Sequence, residues 1–102
     1  MKPVDIADDA GAELRATIAW YEEREPGVGQ RFAVDVEACV AALPKMKLKP
    51  LKGYAARGVT FVEVGGPWPY RIIVVEQPTL LWIVAFAHHR RAPGYWLPRV
   101  RR

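Results

Sequence analysis

Tyr70-Arg71-Ile72-Ile73-Val74-Val75-Glu76, then Gln77-Pro78-Thr79, then Leu80-Leu81-Trp82-Ile83-Val84-Ala85-Phe86-Ala87: two apolar runs rich in β-branched and aromatic residues flank a three-residue turn. This pattern predicts a β-hairpin. Pro69 is tolerated just before the first strand because the first N–H there need not join a ladder. The second run is apolar at successive positions, so it predicts a strand covered on both faces and internal to a sheet. At eight residues, Leu80 to Ala87 is the longest apolar run in the chain, and it is far short of the roughly 20 residues that span a bilayer.

Upstream, Val59 to Val64 is again β-branched and aromatic, and Gly65-Gly66-Pro67 breaks it. Three consecutive strands with short turns predict an antiparallel meander. Before them, residues 45–57 alternate Lys45, Lys47, Lys49 and Lys52 with Met46, Leu48, Pro50 and Leu51, then give Gly53, Tyr54 and Arg57. This reads as a basic connector with little helical support. The first 44 residues read as helix. A brief strand, Pro3 to Ile6, precedes Asp8 or Asp9 as helix cap, and Ala7, Ala10, Leu14, Ile18 and Tyr21 recur at spacings of three and four. Glu13, Arg15, Glu22, Glu23 and Arg24 are assigned to the opposite, wet side. Pro26-Gly27 stops this helix near Glu25, and a second helix, from about Gly29 to Leu43, carries Phe32, Val36, Cys39, Val40 and Leu43 until Pro44. The result is an α+β fold in two layers: an N-terminal helical hairpin packed on a small antiparallel sheet, as one domain over residues 1–102. The expected core is Leu14, Ile18, Tyr21, Phe32, Val36, Val40, Ile72, Val74, Trp82, Val84 and Phe86.

Charge is divided unevenly. Residues 1–44 hold nine acids and four Lys or Arg, whereas residues 45–102 hold two acids, Glu63 and Glu76, and eleven Lys or Arg. Arg90, Arg91, Arg99, Arg101 and Arg102 follow the last acid. Basic residues gathered in this way predict a face aimed at nucleic acid or at an acidic protein segment. A membrane is not an expected partner, because no basic amphipathic helix is present. Cys39 is the single cysteine, which excludes an internal disulfide, and no apolar leader follows Met1-Lys2-Pro3-Val4-Asp5. The expected setting is the reducing cytoplasm. The chain lacks serine altogether, no Cys or His stands at metal-ligand spacing, and Gly65-Gly66-Pro67 lies between strands rather than before a helix. Serine-hydrolase, zinc and phosphate-loop chemistry are thereby set aside, and neither a metal nor a cofactor is expected.

Three segments resemble one family in the right order over about ninety residues. Glu13-Leu14 through Ile18, Trp20-Tyr21-Glu22, Pro26-Gly27-Val28-Gly29 and Arg31-Phe32 resemble the N-terminal hairpin of RelE/ParE toxins. Trp68-Pro69-Tyr70-Arg71-Ile72-Ile73 is similar to the family's "fPYrI" strand, and Val84-Ala85-Phe86-Ala87-His88-His89-Arg90-Arg91-Ala92-Pro93-Gly94-Tyr95-Trp96 with Arg99 is similar to its "vlaVaHgrRdPxYWxxR" ending. Trp68 departs from the usual Phe, and Ala92 from the usual Asp. The resemblance implies the toxin of a bacterial type II toxin–antitoxin pair, neutralised by a cognate antitoxin. Its target would be DNA gyrase, bound and inhibited, in ParE-like members, or messenger RNA cut on the ribosome in RelE-like members. The motif forms lean toward the ParE-like branch. A degenerate toxin that only binds its antitoxin is the third alternative.

Metal-free RNA cleavage needs a base for the 2′-OH, charge stabilisation at phosphorus and a proton for the leaving oxygen. Arg71, His88, Arg91 and Tyr95 are the candidates for that set, with Lys49 or Lys52 completing it. For binding of a target or antitoxin the candidates are Lys49, Lys52, Arg57, Arg71, Arg90, Arg91, Trp96 and Arg99. Competing structural roles are as plain: Tyr95 and Trp96 can pin the tail to the sheet, and the lysine run can be a solvated loop.

Overall fold

Residues 1–100 are described by the structure, a computed structural model; Arg101 and Arg102, counted above in the basic tail, lie outside the described residues. After a short strand β1 (Val4–Ile6), helix α1 runs Asp8–Arg24. The capping position expected at Asp8 or Asp9 falls on Ala7, whose backbone is extended at φ −61° and ψ 145° and whose methyl side chain cannot cap. Both aspartates sit inside the first turn instead, where their charge faces the unpaired N–H end of the helix. Helix α2 spans Val28–Ala42 and begins after Gly27, which has a left-handed φ of 92°. Its own sequence offers no side-chain cap. Glu22 of α1 supplies one across the turn, accepting the Gly27 N–H at 3.0 Å and the Gln30 N–H at 3.1 Å.

The two helices approach closely at Gly29. A Cβ there would lie 2.4 Å from the Ile18 carbonyl oxygen, so only glycine admits this crossing. Pro44 does not end the helical path at once: Leu43–Lys45 forms one tight 3₁₀ turn, with Leu43 buried beneath it.

The remaining strands are β2 (Lys49–Pro50), β3 (Val59–Glu63), β4 (Tyr70–Gln77) and β5 (Leu80–His88), and a single turn of helix, α3, covers Leu97–Val100. Spatial order is β1-β5-β4-β3-β2. The expected α+β architecture and the three-stranded meander are present, and the sheet is wider than the meander alone. It is mixed, with β1 parallel to β5 at one edge, Val4 opposite Leu81. At the other edge the basic connector contributes β2, whose Lys49 and Pro50 face Phe61 and Thr60. Two residues containing a proline give no periodicity to read, and an outer edge is where proline is tolerated in a sheet.

Between β4 and β5 the register shifts: Ile73 faces Ala85 while Val74 faces Ile83, leaving Val84 as the extra residue of a bulge. The bulge turns Val84 and Ala85 to the same face.

Both faces of the sheet are covered. Beneath the hairpin lie Phe32, Val36, Leu43, Ile72, Ile83 and Phe86. The far face, which a two-layer reading leaves to solvent, carries a second cluster of Val59, Ile73, Val75, Val84, Ala85 and Trp96. The tail and connector therefore form a thin third layer. Of the expected core, Phe32, Val36, Ile72, Val74, Val84 and Phe86 are buried, whereas Leu14, Ile18, Tyr21, Val40 and Trp82 pack at its margin and stay partly exposed. The hairpin is one helix pair on one side of a sheet, so the outer flank of each apolar stripe meets water.

Candidate functional site

A groove opens on the far face, between the ends of β4 and β5, the connector and the tail. Its cavity volume is about 140 Å³. Leu51, Ile73, Ala87 and Trp96 form its apolar wall, and Lys52, Arg71, His89 and Arg91 supply its polar rim. Strand alternation explains the first cation. Tyr70 and Ile72 face the hairpin, so Arg71 points to the other side, opposite Ala87 in the register. That side is expected to be solvent but is partly roofed, and the Arg71 side chain is only about one-third exposed, at 35%.

The tail that closes the groove is held from behind by one carboxylate. Glu13, assigned above to the wet side of α1, is a correction: its side chain is 17% exposed and turns inward. It accepts the Tyr95 hydroxyl at 2.5 Å, the Arg99 guanidinium at 2.9 and 3.2 Å, and the Phe86 N–H at 3.1 Å. Arg99 also donates to the Val84 carbonyl at 2.9 Å, the bulged residue just past the last position paired with β1. Two backbone groups of β5 that lie beyond β1 are thus satisfied by side chains.

Burial, the hydrogen bond to Glu13 and the charge of Glu13 push the Tyr95 phenol far above its ordinary value, against the opposing pull of Arg99 and Arg91. Burial works against the Arg99 charge, but Glu13, Tyr95 and Asp9 together offset it and hold the guanidinium above its ordinary value. Arg91 lies on the Tyr95 ring at 4.0 Å, and Trp96, 2% exposed, meets Tyr54 edge-on at 5.1 Å. Tight packing continues at Gly94, where a Cβ would fall 2.6 Å from the Tyr54 hydroxyl.

At the groove's other end sits Glu63. One carboxylate oxygen forms an ion pair with Arg71 Nη2 at 3.1 Å and the other meets His89 Nε2 at 2.6 Å. Arg71 Nε is buried and finds no acceptor among the described residues. The neighbouring His88 packs edge-on against Tyr70 at 5.0 Å, and its Nδ1 accepts the Arg90 N–H at 3.0 Å.

Of the residues singled out from sequence, Lys52, Arg71, Arg91, Tyr95 and Trp96 come together at this groove, whereas His88 only borders it and turns its ring to Tyr70 on the hairpin side. Lys49, Arg57 and Arg90 are exposed outside its lining, and Arg99 points away from it into the Glu13 cluster. Glu13, Glu63, His89 and Tyr54 were not among the candidates. Glu63 carried a usable signal, as one of two acids in a basic half-chain, and cross-strand pairing sets it directly opposite Arg71. Glu13 stands in the first family-like segment, but helical periodicity assigns it to the wet side and its partners stand 82 and 86 residues away.

No family model and no curated protein matches the chain. Among solved structures it is similar to a chain of the chromosomal ParDE toxin–antitoxin system from P. aeruginosa, with a TM-score of 0.72 and 17% sequence identity over 86% of this chain and 96% of that one. At this identity the likeness is one of fold: a helical hairpin packed on a small, mostly antiparallel sheet. No helix among the described residues is long and apolar enough to cross a membrane.

Proposed function

We propose that this protein is the toxin of a bacterial type II toxin–antitoxin pair, neutralised by a cognate antitoxin in the cytoplasm, and that it stops growth by binding DNA gyrase rather than by cutting RNA. The toxin class draws on the three sequence motifs and on the fold shared with the ParDE-system chain. The preference for binding over cleavage draws on one observation: the Tyr95 hydroxyl is bonded to Glu13, well away from any role as proton acceptor. A general base must reach the proton it takes, within about 3 Å or through one water, and must be free to accept it. His88 is engaged at Nδ1 and His89 by Glu63, so the groove offers fixed cations more readily than poised acid–base groups. In this reading Arg71, Arg91 and Lys52 make the central contacts, Trp96 supports them from the floor, and Lys49, Arg57 and Arg90 enlarge the basic surface around them.

Ribosome-dependent RNA cleavage is the second reading, favoured by the convergence of Arg71, Arg91 and Lys52 on one groove with His88 at its border. Induction in cells separates the two. Growth should stop, co-expression of the antitoxin should restore it, and gyrase supercoiling should fail without new RNA ends. Tyr95→Phe should remain toxic because its ring and the Arg91 stack persist, whereas Arg91→Glu should lose toxicity. Ribosome-dependent RNA ends abolished by Tyr95→Phe would make the protein an enzyme, and full growth at high soluble expression would reject the toxin reading.

A further inference from the structure

Glu63 lies at the border of the groove and holds two of its rim residues. It is the acid set among the groove's cations, it joins Arg71 to His89, and both partners line the cavity. Neither contact is sealed: the Glu63 and Arg71 side chains are 41% and 35% exposed, so water competes for the pair and displacement costs little. Arg71 is also incompletely satisfied. Its Nη2 is used, its guanidinium lies 4.6 Å from the Phe61 ring, and its buried Nε lacks an acceptor among the described residues. A planar guanidinium binds a carboxylate best with two parallel N–H groups, and Glu63 meets it at Nη2 as an ion pair.

We infer that the groove is a receptor for a single acidic side chain of a protein partner, and that Glu63 is an internal competitor that sets its affinity. The size fits: about 140 Å³ is close to the roughly 150 Å³ cavity that accepts one benzene ring. Its chemistry fits as well, since an apolar wall of Leu51, Ile73 and Ala87 beneath a cationic rim matches an aliphatic stem ending in a carboxylate. Nucleic acid is the poorer match. Single strands are held by bases stacked on open aromatic faces, and here Trp96 is buried against Tyr54 while Arg91 covers the Tyr95 ring. The inference rests on the groove being a binding site, as proposed above, and adds the chemistry of what enters it.

The test uses the purified full chain and fluorescence anisotropy with three labelled probes: a peptide alternating Leu and Glu, the same peptide with Gln for Glu, and a 12-nucleotide single-stranded RNA. Glu63→Gln keeps volume and one acceptor oxygen, so folding is not at stake, and thermal melts verify this. The variant should bind the Glu peptide about two- to fivefold more tightly than wild type, the range of one partly exposed charge pair. The Gln peptide should not respond. Removing a negative charge also raises the general potential, and a double-mutant cycle separates that effect. In an Arg71→Ala background, the Glu63→Gln gain should vanish. Unchanged affinity, a gain that persists without Arg71, or an equal or larger gain for RNA would each overturn the inference. None of these outcomes depends on toxicity, so the internal competitor can fail while the toxin reading stands, and the reverse.

Discussion

Tyr95 gives its hydroxyl proton to Glu13 at 2.5 Å while its ring carries Arg91 at 4.0 Å, so one side chain has a structural end and a groove-facing surface. Tyr95→Phe separates them. It should destabilise the fold by about 1–2 kcal/mol, as a hydrogen bond to a charged group is lost while Arg99 still satisfies the carboxylate. Urea denaturation reads this directly, and a loss below about 0.5 kcal/mol would mean that the bond is not formed in solution. Trp68 has a comparable double character. Where the resembling family usually has Phe, its indole N–H donates to Asp35 of α2 at 2.6 Å, while the ring meets Phe32 at 5.0 Å and Tyr21 at 5.3 Å. The sequence flags Trp68 as a departure, but its partner lies 33 positions away and periodicity is silent on such pairs. Residue types alone pointed to Arg71, His88 and Arg91. They did not distinguish cations that line the groove from Arg99, which serves the latch, because that choice depends on how the tail turns at Gly94.

Among the elements, the helical hairpin was the most legible, since spacings of three and four in Ala10, Leu14, Ile18 and Tyr21 state a helix and its inward face at once. What periodicity omits is how closely the helices approach. Gly29→Ala should push them apart or shift the Ile18 turn, lowering stability by about 1–3 kcal/mol. A thermal melt matching wild type would show the crossing to be looser than described. The same junction carries a pH dependence. Hydrogen bonds from Gly27 and Gln30 depress the Glu22 pKa below its ordinary 4.5. A depressed carboxylate stabilises the fold above its unfolded value and loses that contribution as pH falls through its folded value. The melting temperature should therefore drop on acidification below about pH 4.5, and Glu22→Gln should flatten that part of the curve. An identical acid profile for the variant would remove Glu22 from the cause. The strands were legible where apolar runs are long, at β3, β4 and β5, and obscure where they are short. β2 exists through its pairing with β3 and has no pattern of its own.

Across the whole molecule, the first helix is joined to the last described segment by Glu13, and its contacts to Tyr95 and Arg99 close loops of 82 and 86 residues. Contacts so distant in sequence form only after most of the chain's entropy has been lost, so they belong to a late stage of folding. Until then the Glu13 carboxylate keeps its water. The latch should consequently govern how long a folded molecule lasts more than how fast it forms. Glu13→Gln should leave the refolding rate near that of wild type; if the exchange costs about 1.4 kcal/mol, unfolding should speed up roughly tenfold. Stopped-flow refolding and unfolding in urea check both limbs, and a slowed folding limb would place the latch in the nucleus instead. On this expectation the lifetime of the folded protein is set by a contact between its first helix and its tail: the bond that closes last is the one whose breaking starts the clock.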